Sequence, residues 1–338
     1  MRGWPGARHA IEGEGAKVNL VTVDIGGTHA RFALADVAGG RVIALGKPVT
    51  LKTAEYASLQ TAWQAFGAQA GPLPRAAAIA VASPVGGELI KLTNNPWIIR
   101  PALVRERLDV DDFVLINDFG AVGHAVAQLG PEHFEHLCGP DAPLPAQGSL
   151  TVCGPGTGLG VALVHRGPRG YQVIETEGGH MDFAPLDGLE DAMLKRLRKT
   201  YTRVSAERIC AGPGIIAIYE TLAEIEGRAV PRLDDKAIWT MALEGSDSLA
   251  LAALDRFCLS LGAVAGDLAL AQGAKGVVIA GGLGLRLKDH LARSGFSERF
   301  AAKGRFRSLM EDIPVKLVTH PQPGLFGAAA AFAQEHAQ

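Results

Sequence analysis

Apolar and polar positions alternate along this chain in two rhythms, one of strands and one of helices, and the order in which they come recurs once. The first unit opens with "VTVDIGGTHARFALADV" (21–37), an apolar run ending on an acid, a Gly-Gly-Thr turn and a second alternating run. "GRVIALGKPVTL" continues the alternation less cleanly, so the pattern predicts a meander of strands joined by tight turns. "YASLQTAWQAFGAQA" has helical apolar spacing, "AAAIAVAS" reads as a buried strand, "ELIKLTNN" as an edge or hairpin strand, and "PALVRERL" as a short helix. "DFVLINDF" is another buried strand, with an acid at its C-terminal end, and "FGAVGHAVAQL" is a helix.

A Pro/Gly-rich stretch, "CGPDAPLPAQGS", reads as a loop or junction, and then the opening rhythm returns. "LTVCGPGTGLGVALVHRG" is again a strand, a Gly-Thr-Gly turn and an alternating strand, followed by "GYQVIETEGGH" as a third. Aligning Gly27-Thr28 with Gly156-Thr157 makes the halves weak copies of one unit. Long helices follow ("LEDAMLKRLRKTY", "PGIIAIYETLAEIEG", "SLALAALDRFCLSLGAVAGDLALAQG"), then the strands "GVVIAGGLG" and "PVKLVTH" and the closing helix "GLFGAAAAFAQEHA". Strands alternating with helices after a meander argue for an α/β fold. A duplication of this kind builds two lobes with a cleft between them.

Length and composition agree with that picture and narrow the partners. The 338 residues suffice for roughly two domains, with 48% hydrophobic and 20% charged residues. A formal charge of −2 gives no electrostatic reason to expect nucleic acid or membrane as a partner. No run of 18 or more apolar residues is present, so no membrane span is expected. "MRGWPGARHAIEGEGAK", residues 1–17, lacks the apolar stretch of a signal peptide and reads as a frayed extension. Cys138, Cys153, Cys210 and Cys258 show no paired spacing and read as reduced, mostly buried thiols of a cytoplasmic protein.

The glycine turns carry the candidate chemistry. A Rossmann fingerprint would place a helix directly after the glycines, and a P-loop needs Gly-Lys-Ser/Thr; neither fits. Glycine has no side chain and tolerates positive φ, so successive backbone N–H groups can converge on an anion. One such hairpin can grip a phosphate, and two facing each other a polyphosphate. Asp24 aims an acid at that place, which calls for a water-bridged Mg²⁺. Asp118 at the end of "VLIND" reads either as a cap for the next helix or as a general base in a cleft. Glu177 and His180 in "TEGGH" suit vicinal hydroxyls of a sugar, with glycines that let the backbone pass close to a ligand. The alternative for His180 is a satisfied structural histidine; no Cys or His lies at metal-ligand spacing from it. Glu207 follows Ser205 in "VSAER", which also reads as a helix N-cap with an acid in the first turn.

These residues carry a resemblance. "VDIGGTHARFALAD" and "CGPGTGLGVAL" resemble the two phosphate motifs of the actin/hexokinase superfamily, and "GVVIAGGLG" resembles its adenosine motif. More narrowly, "TNNPW", "LINDF", "TEGGHMDFAP", "VSAERICAGPGI" and "PGLFGA" together resemble the bacterial hexokinase-like glucokinase family over nearly the whole chain. The resemblance implies a two-lobed actin-like ATPase (ribonuclease H-like) fold with duplicated ββ-turn phosphate-binding units and an interlobe cleft. It implies a small domain over 18–126 and 320–338, a large one over 127–319, and a cytoplasmic homodimer. It implies transfer from ATP, with Mg²⁺, to the 6-hydroxyl of glucose. The ATP site would take Val23, Asp24, Ile25, Gly26, Gly27 and Thr28 from the first hairpin, and Gly156, Thr157 and Gly158 from the second. Gly281 and Gly282 would lie at the adenosine. The sugar would be held by Asn94, Asn117, Glu177, His180 and Glu207, with Asp118 the catalytic base. His29 departs from the family's usual Asn, and Pro155 removes one N–H from the second turn. The competing readings are a ROK-type or other hexose kinase, such as one for mannose or fructose, and a non-catalytic sugar sensor. No cysteine falls between His180 and Cys210, where ROK kinases carry a zinc motif, and no helix-turn-helix precedes the first strand.

Overall fold

The computed structural model describes residues 17–92 and 95–336. The extension expected over residues 1–17 lies outside the described residues apart from Lys17, and so does Asn94. The chain divides into two compact units, Met1–Asp118 with Gly324–Gln338, and Phe119–Pro323. The expected domain borders, at 126/127 and 319/320, fall inside a helix and a loop near these divisions.

In the first unit, strands β1 (Val18–Ile25) and β2 (His29–Ala38) form the glycine hairpin. β3 (Arg41–Leu45) and β4 (Val49–Lys52) both pair with β2 and complete the meander. Helix α1 (Leu59–Ala70) starts at a reciprocal capping box between Ser58 and Thr61. It buries Leu59, Ala62, Trp63 and Phe66, the i, i+3, i+4, i+7 stripe of an amphipathic helix, with Phe66 stacked on Phe32 at 5.4 Å. β5 (Ala76–Val81) is buried at every position, as expected of a parallel strand covered on both faces. Among the described residues of "ELIKLTNN", Ile90–Lys91 form strand β6, paired with β7 (Ile98–Ile99). Helix α2 (Val104–Leu108) is short, and β8 (Asp112–Asn117) lies parallel to β5. The sheet order is β3-β2-β1-β5-β8.

The second unit repeats this order. Helix α3 (Asp118–Gln128) packs within it from Phe119 onward, with Gly123 against Ala162, Val164 and Val173. β9 (Phe134–Cys138), β10 (Gly148–Pro155), β11 (Leu159–Gly167) and β12 (Gly170–Thr176) precede the helical stretch. That stretch contains α4 (Gly188–Leu197), α5 (Glu207–Cys210), α6 (Gly214–Ile225), α7 (Asp235–Glu244) and α8 (Ser248–Gln272). β13 (Ala274–Ile279) leads to α9 (Gly281–Arg286), α10 (Lys288–Leu291), α11 (Phe296–Ala301) and α12 (Arg307–Glu311), and β14 (Val315–Val318) to α13 (Pro323–Glu335). The sheet order is β12-β11-β10-β13-β14-β9. An antiparallel meander followed by two parallel strands therefore occurs in each sheet, with β9 added at one edge. α8 is long and apolar enough to cross a membrane by length and composition, but 72% of its apolar window is buried in the protein, as in a core helix. All four cysteines are buried thiols.

Candidate active site

The first hairpin is closed by the Gly26 N–H donating to His29 O at 2.9 Å. Every carbonyl of its tip is turned back into the fold. Gly26 O accepts from Asn95 Nδ2 (3.1 Å), Gly27 O from the Thr53 hydroxyl (2.9 Å), and Thr28 O from the Thr53 N–H (3.0 Å). Among the described residues no acceptor serves the N–H of Gly27 or Thr28. Carbonyls held inward with N–H groups left over is the arrangement that attracts an anion. His29 turns its Nδ1 to the Thr28 hydroxyl at 3.0 Å, so its ring does not compete for those amides.

Asp24, at the end of β1, bonds the Arg31 guanidinium across the hairpin at 3.3 Å. Its carboxylate also lies against Gly324 in the first turn of α13, where a Cβ would come within 2.8 Å of Oδ2. The positive end of the helix dipole favours an anion there. Burial pushes the Asp24 carboxyl up, and Arg31 offsets this only in part. Thr22, two residues earlier on the same strand, donates to Leu325 O at 2.7 Å and ties that helix to β1.

In the second hairpin Pro155 pairs with Leu159, and the Gly156 N–H closes the tip by donating to Gly158 O at 2.8 Å. Gly156 O accepts from the Gly212 N–H (2.8 Å), and among the described residues no acceptor serves the N–H of Thr157 or Gly158. Gly281 opens α9 with φ +83°, its missing side chain leaving room for Pro155 O at 2.8 Å from where a Cβ would stand. Gly281 thus abuts this hairpin.

Glu207 joins the hairpin from α5. Its Oε2 accepts the Leu159 N–H at 3.0 Å, and a Cβ on Gly158 would meet the same oxygen at 2.5 Å. The N-cap reading of "S-A-E" does not hold: Ala206 occupies the cap position and no side chain bonds there. His180 Nε2 lies 4.0 Å from Glu207 Oε1 and 3.9 Å from Glu177 Oε2. Its side chain is 55% exposed, which is unlike a satisfied core histidine. The structure therefore brings Glu177, His180 and Glu207 together. The glycines between Glu177 and His180 serve packing: a Cβ on Gly179 would strike Leu159 O at 2.1 Å, so only glycine lets this turn lie on β11.

Asn117 closes β8 with its amide donating to Ser83 O at 3.4 Å, and Asp118 is the first residue of α3. Thr53, Asn95, Arg31 and Gly324 escaped the sequence reading as site residues. Arg31 in "VDIGGTHARFALAD", Asn95 in "TNNPW" and Gly324 in "PGLFGA" lay inside family motifs without a purpose of their own, and Thr53 carried no signal. Among the described residues no three His, Cys, Asp or Glu side chains group as a metal site.

Known proteins match the chain over nearly its whole length. A family model described as Glucokinase matches residues 21–335. The glucokinase of Zymomonas mobilis subsp. mobilis is 62% identical over 322 residues, covering 95% of this chain and 99% of its own. That of Cronobacter sakazakii is 39% identical over 313 residues, 92% of this chain and 96% of its own. Among solved structures, the chain is similar to a glucokinase from an Antarctic psychrotroph, with a TM-score of 0.81 at 33% identity over 93% of this chain and 98% of that one. The expected α/β fold of actin-like ATPase type, with its duplicated hairpin, is the fold these comparisons support.

Proposed function

The chain belongs to the glucokinase family, and from that premise we propose how its glycine hairpins and clustered acids carry out the reaction. The protein is an enzyme that phosphorylates glucose with ATP. The observation that carries the detailed reading is Glu207, which bonds the second hairpin through Oε2 while Oε1 faces His180. One carboxylate thereby connects a turn with spare N–H groups to a cluster suited to a polyol.

In this reading the N–H groups of Gly27 and Thr28, and of Thr157 and Gly158, hold the phosphates of ATP. Val23 and Ile25 set the strand that presents them, and Gly281 and Gly282 take the adenosine. Glu177, His180 and Glu207 accept and donate to sugar hydroxyls, with Asn117 and, outside the described residues, Asn94. A sugar lacking a matching hydroxyl leaves such groups unpaired, at ~1–3 kcal/mol each, which is the source of selectivity. Asp118 accepts the proton of the 6-hydroxyl as that oxygen attacks the terminal phosphorus in line, and ADP leaves.

Mg²⁺ fits the donor set through Asp24: an ion of this kind leans on one or two carboxylates, with phosphates and waters supplying its other ligands. When bound it neutralises phosphate charge. Arg31 holds the Asp24 carboxylate in place whether or not the ion is there. Buried free thiols support a cytoplasmic location, and a homodimer belongs to the same reading.

The test is a coupled assay over hexoses and phosphoryl donors, run on the native protein and on Asp118→Ala. Glucose with ATP should give the highest kcat/KM, and Asp118→Ala should lose roughly a thousandfold in kcat while still binding ATP. A variant with near-normal kcat would remove Asp118 from the role of base.

A further inference from the structure

A cavity of about 390 Å³ lies in the second unit, remote from its glycine hairpin. Arg166, on its wall, pairs with Gly148 at the far end of β11, whereas Leu159 pairs with Pro155 at the tip. Seven residues of strand, roughly 23 Å at ~3.3 Å per residue, separate them. The volume falls in the range of ligand pockets, ~300–1,000 Å³. Leu129, Phe134 and Leu144 give the cavity an apolar floor, while Arg166, Lys316 and Asp141 bring charge to it.

The charges are unevenly matched. Arg166 Nη1 donates to Pro145 O (3.0 Å), and Nη2 to Val126 O (3.0 Å) and Ala127 O (3.4 Å). The two Nη2 bonds cap α3 and the third holds the loop at Pro145, together using three of its five N–H donors. Among the described residues no carboxylate lies within 4.0 Å of it. Lys316, on β14, has a side chain only 11% exposed and meets Asp141 Oδ1 at 3.3 Å. Asp141 is itself 74% exposed, on the loop between β9 and β10, and stands 3.7 Å from His136. Lys316 thus meets one solvent-facing acid, an ion pair of the kind that stabilises little, while Arg166 on the same wall faces backbone carbonyls only. Helix capping accounts for Arg166 but leaves Lys316 unexplained on the same cavity.

We propose that this cavity binds a small organic anion with an apolar body, its carboxylate or phosphate lying between Arg166 and Lys316 in competition with Asp141. The remaining guanidinium donors can each give the anion a charge-assisted N–H bond, and Lys316 adds a point charge. The body rests on Leu129, Phe134 and Leu144.

Calorimetric titration of the full-length protein tests this with 3-phenylpropionate, phenyl phosphate, inorganic phosphate and the neutral 3-phenylpropanamide. One anion per chain should bind, and the aromatic anion that binds better identifies the headgroup. The amide and inorganic phosphate should bind at least about tenfold more weakly, for want of charge and of an apolar body respectively. Lys316→Gln should weaken the anion by about tenfold or more, and Asp141→Asn should tighten it by removing the competitor. Neither residue belongs to the phosphoryl-transfer machinery, so both variants should keep their glucose kinase rates whatever becomes of the reading of that site. Equal binding of amide and carboxylate, or an unaltered affinity in Lys316→Gln, would overturn the proposal. So would a change of oligomeric state in Lys316→Gln by sedimentation, because the cavity would then be a contact between copies of the chain.

Discussion

The two glycine hairpins share a backbone plan and differ in where each gets its carboxylate. The first carries its own: Asp24 sits in β1, fixed by Arg31 and the first turn of α13. Its sequence counterpart in the second is Cys153, a buried thiol that burial pushes up to about 12 and so keeps neutral. The second hairpin borrows Glu207 instead, through the Leu159 N–H. Their lengths differ too. Four residues lie between the paired Ile25 and Ala30, and five between the paired Gly154 and Gly160. The alignment of Gly27-Thr28 with Gly156-Thr157 therefore holds on the entering strand and slips by one residue on the leaving strand. Duplication preserved the sheet order while the carboxylates diverged, one copy carrying its acid in its own strand and the other borrowing it from a helix.

Removing each carboxylate should expose that division. Glu207→Ala leaves the Leu159 N–H without its acceptor and should lower kcat/KM by about a hundredfold or more, raising KM for both glucose and ATP. Asp24→Asn should instead raise the Mg²⁺ requirement and leave the glucose KM unchanged. If Glu207→Ala moves only the glucose KM in two-substrate kinetics, the borrowed carboxylate does not serve its hairpin.

The packing around Asp24 gives a smaller effect. Gly324→Ala would put a methyl 2.8 Å from Oδ2 and should cost about 1–3 kcal/mol in denaturant unfolding. At Gly282, where a Cβ would meet nothing within 4 Å, alanine should be close to neutral. Equal losses at both positions would mean that Asp24 is not braced by α13.

The smallest effect is a difference in sign with pH. His124, on α3, lies edge-on to Tyr171, and burial lowers its pKa to about 4. Its contribution to stability is fully present above the ordinary 6.5 and is lost as pH falls toward about 4. Asp24 runs the other way: a raised carboxyl contributes most at low pH and loses that contribution as pH rises through its folded value. Hydrogen exchange corrected for its intrinsic pH dependence should thus rise in α3 and β12 as pH falls from 7 to 5, where His124→Gln should flatten the trend, and not in β1. A parallel rise in β1 would contradict the assignment.

Much of the fold was legible because its strands are extreme in pattern. β5 is apolar throughout and β13 at every position but Lys275, and the hairpin strands alternate around glycine turns. β9 was missed because a five-residue edge strand with its first three residues partly or fully exposed has neither signature. The short helices after β13 carry too few turns to show a period. In the candidate site, the acids were readable one by one, but their connections were not. Glu207 and Leu159 lie 48 residues apart, and Asn95 and Gly26 lie 69 apart. The "S-A-E" reading failed because Ser205 pairs with Asp182 in a β-bridge and the helix begins two residues later, at Glu207. The glycines of "TEGGH" read as room for a ligand, and a packing purpose that the sequence did not show stands beside it: Gly179 lies on Leu159 and Gly178 on Val161.

The central claim is that four backbone amides, two in each hairpin, hold the phosphates. Amide NMR of Gly27, Thr28, Thr157 and Gly158, recorded with and without a non-hydrolysable ATP analogue and Mg²⁺, tests it most directly. All four should shift and become protected from exchange, in native protein and in Asp118→Ala alike. If these four stay unchanged while the nucleotide binds and other amides respond, the hairpins are turns and nothing more.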